Sequence, residues 1–169
     1  RGFDSLAVAG ALRRVATEQR CDLANIDEGG VGAGVVDQAR ASGMSVVGCM
    51  FGASARNPER YANFRAEEFL ALRERFHDAY RASQGEPVVP GIVLEEPDEM
   101  LAEELAAMRW NEDARGRIVL EPKEETKRRL PGQRSPDRAD AAMLTFASAS
   151  SPTIVINPDT NWTGPQWQV

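Results

Sequence analysis

Apolar positions recur at steps of three and four from Ser5 to Gln19, at Leu6, Val8, Ala9, Leu12, Val15 and Ala16. That spacing predicts a helix, with Asp4 placed to cap its start. Leu23-Ala24-Asn25-Ile26 is a short apolar run that ends on Asp27 and predicts a strand. A glycine-rich turn, Glu28 to Gly34, leads into a second helix through Val35, Val36 and Ala39, which Gly43 ends. Ser45 to Phe51 predicts the next strand, so helix and strand alternate as they do where neighbouring strands run parallel.

Further on, a long helix is expected from about Tyr61 to Ala82, with Phe69, Leu72, Phe76 and Tyr80 as its apolar stripe. Pro87 and Pro90 mark a loop, and Pro97-Asp98 opens a helix through Leu101, Leu105 and Met108. Arg117 to Glu121 predicts a strand and Lys123 to Arg129 a short charged helix, broken by Pro131-Gly132. Ser135 as N-cap and Pro136 at the first helical position predict a last helix through Phe146. From Ser148 the chain is rich in Ser, Pro, Thr and Asn. Trp162 and Trp167 leave open whether this tail docks on the domain. There are no internal repeats.

Composition narrows the class. The 169 residues are 42% hydrophobic and 27% charged, enough for one domain with a core. No apolar run is long enough to cross a membrane. The opening Arg1-Gly2-Phe3-Asp4 has neither an initiator Met nor a signal pattern and reads as the interior of a longer protein. Cys21 and Cys49 make no disulfide framework, which favours a cytosolic setting. With His77 the only histidine, the usual structural zinc sites cannot be assembled. A metal here would be held by carboxylates, which suit Mg²⁺ or Mn²⁺.

Three aspartates are candidates for that role. Asp27 stands at the end of a strand and before glycines, where α/β sheets place their ligands; it could equally cap the turn and the helix that follows. Gly30, Gly32 and Gly34 give GxGxG rather than a dinucleotide fingerprint, and no strand-end acid follows near Met50. Asp137 and Asp140, three residues apart, share one helical face. Asp137 is also favoured there by the helix dipole alone. Asp140 is embedded among Ala139, Ala141, Ala142, Met143 and Leu144, and an acid among core residues needs a metal, a cation or hydrogen bonds. Carboxylates from a strand end and a helix start could converge on one or two divalent cations, the arrangement that drives in-line phosphoryl displacement.

Charge gives a divided signal. The formal net charge is −6, yet Lys123, Lys127, Arg128, Arg129, Arg134 and Arg138 concentrate basic charge close to Asp137. They could hold a DNA backbone, or form a solvated face balanced by Glu121, Glu124 and Glu125.

Taken together, these residues resemble the ribonuclease-H-like nuclease domain of phage terminase large subunits. The matching stretches are 25–37, 47–52, 61–67, 116–121, 123–125 and Ser135-Pro136-Asp137-Arg138-Ala139-Asp140-Ala141. Their order and spacing cover residues 1–147. The resemblance implies an α/β fold, a ribonuclease-H-like mixed sheet flanked by helices, over residues 1–148, with 149–169 as a tail. It implies a Mg²⁺- or Mn²⁺-dependent endonuclease, with two ions in the complete domain, that cuts concatemeric viral DNA during genome packaging in the host cytoplasm. The implied partners are double-stranded DNA and, in the intact protein, an ATPase motor domain, a small terminase subunit and a portal.

Asp27 and Asp137 match metal-binding acids of that family, and Asp140 matches the accompanying acid of the related Holliday-junction resolvases. Lys127, Arg128, Arg134 and Arg138 are weaker candidates for backbone contact. The family's first catalytic aspartate lies on a strand upstream of everything present, so the first strands are expected to be missing and the chain to lack one ligand. The alternatives are a degenerate fragment that only binds DNA or a partner, and a Holliday-junction-resolvase-like nuclease.

Overall fold

The computed structural model describes residues 4–94 and 96–147; the serine- and proline-rich tail with Trp162 and Trp167 lies outside them. Helix α1 spans Ser5–Glu18, and Asp4 caps it by accepting the Ala7 N–H at 2.7 Å. Strand β1, Ala24–Asp27, pairs in parallel with β2, Val46–Cys49, and the helix between them, α2 (Gly32–Ala41), packs on α1 and on both strands. The register sets Asp27 opposite Cys49. The glycine at 32 is demanded by packing: a Cβ there would stand 1.7 Å from the Asp27 carbonyl oxygen.

The rest of the chain builds a second core on α3, Phe64–Ser83. Its start lies three residues later than the apolar pattern suggests, because Asn63 takes the cap and accepts the Ala66 N–H. Tyr61 is diverted into a parallel bridge with Ile118. Phe69, Leu70 and Leu72 meet Leu101 of α4 (Glu99–Ala107) and Met108. They also meet Leu120 of the strand over Ile118–Leu120 and Ala139 and Met143 of the last helix. The expected stripe is thus buried at Phe69 and Leu72, but Tyr80 is exposed.

A strand with no apolar signal, β3 (Trp110–Glu112), forms an antiparallel hairpin with β4, Ile118–Leu120. Its residues are all exposed, so it is held by backbone pairing rather than burial. Asp113 fixes the turn: the Arg117 backbone N–H, then the Arg117 side chain, hold its carboxyl down to about 2. The described residues therefore combine parallel and antiparallel pairing, divided between two two-stranded sheets.

Helix α5 occupies Lys123–Arg129, followed by a 3-10 turn over Pro131–Gln133 and by α6, Asp137–Thr145. Here the expected cap fails. Pro136, not Ser135, stands at the N-cap, and no side chain of the cap residue hydrogen-bonds the helix. No helix among the described residues is long and apolar enough to cross a membrane.

Candidate metal centre

The C-terminal end of α6 is pinned to β1. Asn25 of β1 donates through Nδ2 to the carbonyls of Leu144 and Ala147, at 2.7 and 3.1 Å. Leu144 and Ala147 pack on Cys49, Val47 and Phe51. Four residues back from Leu144 is Asp140, roughly 6 Å along the helix axis. Two residues on from Asn25 is Asp27, roughly 6 to 7 Å along the strand. Arg65 links the residue just past β2 to α6: its backbone N–H donates to the Phe51 carbonyl, and its Nη2 reaches Asp140 Oδ1 at 3.3 Å.

The two helix acids are drawn together by a lysine. Lys123, first residue of α5, places Nζ 2.6 Å from Asp140 Oδ2 and 3.5 Å from Asp137 Oδ1. Asp140 is 7% exposed and is neutralised from two sides, by Lys123 and Arg65. This is the cationic company that an acid among core residues requires. Asp137, with 80% of its side chain exposed, presents its carboxylate to solvent. Burial lowers the affinity of the Lys123 amine for its proton, but the hydrogen bonds and charges of Asp140 and Asp137 outweigh it and raise the pKa.

Asp27 is not brought into this pair. Its Oδ1 accepts the Gly29 N–H at 3.0 Å, the turn-capping arrangement that its position also allowed. Neighbouring Glu28 lies against Gly48, where a Cβ would stand 2.6 Å from its carboxylate. Among the described residues no three His, Cys, Asp or Glu side chains converge closely enough to hold one ion. Burial, then the charges of Glu68, Asp27 and Glu28, raise the pKa of the Cys49 thiol at the strand end.

The basic residues are each engaged with a carboxylate or a carbonyl. Lys127 pairs with Glu124 and Arg128 with Glu125, each one helical turn back. Arg129 caps the end of α4 through the Ala107 carbonyl and also meets Glu121. Arg134 reaches Glu103, and Arg138 reaches Asp98, both at 2.5 Å. The balanced face expected of 121–125 accounts for Lys127, Arg128 and Arg129; Arg138 of α6 and Arg134 of the segment before it instead reach α4 and its cap.

Lys123 and Arg65 were not singled out as site residues by the sequence. Lys123 stands in the basic run and in a matching stretch, and Arg65 only in a matching stretch. A stronger signal was Glu104, an acid on the same helical face as Leu101, Leu105 and Met108.

Comparison of the whole structure decides the class. It superposes on the nuclease domain of the large terminase subunit gp2 of bacterial virus Sf6 with a TM-score of 0.68 and 27% identity, covering 83% of this chain and 71% of that one. The fold is that of a terminase nuclease domain. A point mutant of the Sf6 domain with manganese matches at 0.67 and 28% identity, over 83% of this chain and 72% of that one. A mutant with calcium matches equally at 0.67 and 28%, over 83% and 71%. No protein-family model matches the chain, and no curated protein sequence matches it. The terminase-type fold bears out the α/β, ribonuclease-H-like expectation, and the metal-bearing neighbours agree with an oxygen-ligand divalent cation.

Proposed function

We propose that residues 1–148 form the nuclease domain of a terminase large subunit, a metal-dependent endonuclease acting on double-stranded DNA, with 149–169 as its tail. The observation that carries this reading is the likeness, over 83% of the chain and at 28% identity, to a terminase nuclease domain with manganese. The acids at the helix start fit a hard divalent cation in their chemistry. Two carboxylates already share one cationic group, the Lys123 ammonium, and Asp137 is open to solvent. Asp137 and Asp140 would hold the metal at the helix start, with Asp27 as the ligand from the strand end. The bound ion would activate water and stabilise the phosphoryl oxygens.

The protein's own groups prepare that centre. Arg65 holds Asp140 in place, the Lys123 ammonium occupies the space between Asp140 and Asp137, and the dipole at the start of α6 favours negative charge there. The DNA would lie across the start of α6, with Lys127, Arg128 and Arg138 as candidates for phosphate contact; Arg134, also a candidate from sequence, is engaged by Glu103 and Glu104. By the same likeness the working context is packaging of concatemeric viral DNA in the cytoplasm of a host bacterium, together with an ATPase motor domain, a small terminase subunit and a portal.

Mn²⁺ titration followed by calorimetry tests the reading, with nicking of supercoiled plasmid as the companion assay. Binding that Asp137→Asn weakens is expected. Wild-type affinity in that variant would remove the centre from α6.

A further inference from the structure

We infer that Glu104 of α4 is a positioning residue for the centre on α6, supplying from another helix the cap that α6 lacks. This rests on the metal-binding reading of Asp137 and Asp140. The first-turn amides of a helix have no acceptor within the helix, and a side chain at the N-cap ordinarily provides one. Pro136 occupies that place and makes no side-chain hydrogen bond. The acceptor comes from 35 residues upstream: Glu104 Oε2 receives the Ala139 N–H at 2.9 Å.

Glu104 is 2% exposed, so a carboxyl group has been buried at this contact. Burying a polar group is costly unless it is well partnered. Its partners are the Ala139 amide, the positive end of the α6 dipole and Arg134, whose Nε lies 3.6 Å from Oε1. Ala139 is itself fully buried and lies between Asp137 and Asp140 in the chain. A hydrogen bond at that amide fixes the height and rotation of the turn that carries both acids. A second tie keeps the two helices in step. Arg138 of α6 meets Asp98, which caps α4 by accepting the Leu101 N–H at 2.9 Å. The acids of the centre are therefore set by α4 as well as by their own helix. Arg134 braces Glu103 and Glu104.

The test is calorimetric titration of Mn²⁺ alone into the full chain as wild type, Asp137→Asn, Glu104→Gln, Glu104→Asp and Glu104→Leu, each first checked for folding by circular dichroism. Glu104→Gln keeps an oxygen for the Ala139 N–H and should bind within about twofold of wild type. Glu104→Leu removes the acceptor and should raise Kd about tenfold or more, as loss of a partner that orients a ligand does. Glu104→Asp keeps the carboxyl group but falls short by one methylene, and should weaken binding more than Glu104→Gln. That comparison decides the matter if the leucine variant does not fold. A role confined to stability would lower the fraction of folded, binding-competent molecules and leave Kd untouched in every Glu104 variant. That result, or wild-type Kd in Glu104→Asp with weakened binding in Glu104→Gln, overturns the inference. If Asp137→Asn also binds like wild type, the metal reading of α6 fails with it; if only the Glu104 variants do, that reading stands.

Discussion

Lys123 and Asp140 meet at 2.6 Å, the first residue of one helix closing on a buried acid in the first turn of the next. Asp140 outweighs the burial that would otherwise discharge the lysine, so folding raises the Lys123 pKa above its ordinary 10.5. A base whose folded pKa is raised contributes stability that is complete below the unfolded value and is lost as pH climbs through the folded one. Wild type should therefore lose urea resistance above about pH 10.5 more steeply than Lys123→Met, which has no proton to release. Parallel alkaline profiles would mean that the contact contributes nothing to folding.

The same lysine is a cation already lying between two candidate ligands. Removing it leaves uncompensated negative charge beside Asp137, so Lys123→Met should bind Mn²⁺ more tightly than wild type. Calorimetry under matched salt checks this, and weaker binding would show that the ammonium helps to build the centre.

Asp137 and Asp140 should separate by phenotype. Asp140→Asn leaves Lys123 and Arg65 short of a charged partner in a buried place, and should cost about 1–3 kcal/mol in urea unfolding. Asp137→Asn alters an exposed carboxylate and should stay within about 0.5 kcal/mol of wild type while losing Mn²⁺ affinity. Equal destabilisation by both would contradict the division of labour.

Much of this was legible in the chain. Apolar spacing located α1, α2 and α4, short apolar runs located β1, β2 and β4, and a charged run broken by Pro131-Gly132 located α5. The parts that were not legible depend on long-range partners. Strand β3 has no apolar signature, since its pairing with β4 is backbone to backbone. Ser135 has the chemistry of a cap, but Glu104 from α4 takes that part. Lys127 and Arg128 are open in sequence to two readings, a phosphate-binding cluster or a face balanced by Glu124 and Glu125, and the fold pairs them with those acids. The acids at 137 and 140 were correctly read as sharing a face. That Lys123 would close the face could not be seen until α5 was folded against α6.

Asn25 joins β1 to the end of α6 through two carbonyls, Leu144 and Ala147. Asn25→Ala would leave both acceptors without that donor in a part-buried place, at about 1–3 kcal/mol. Because the loss is local, amide exchange should accelerate most at Phe146 and Ala147, the last turn of the described chain. Uniform acceleration across α3 and α6 would indicate instead that Asn25 supports the whole core.

Salt dependence of DNA binding separates the arginines that meet phosphate from those that brace the protein. Neutralising one phosphate-contacting side chain lowers the slope of log affinity against log salt by about 0.9 on duplex DNA. Arg128 and Arg138, with 67% and 52% of their side chains exposed, can exchange an acid partner for a phosphate at little cost. Arg134 is only 25% exposed and is engaged by Glu103 and Glu104 together. Arg128→Gln and Arg138→Gln should each reduce the slope, and Arg134→Gln should leave it unchanged while lowering stability. A reduced slope in Arg134→Gln would place the DNA over the α4–α6 junction and require Glu103 or Glu104 to release its guanidinium on binding.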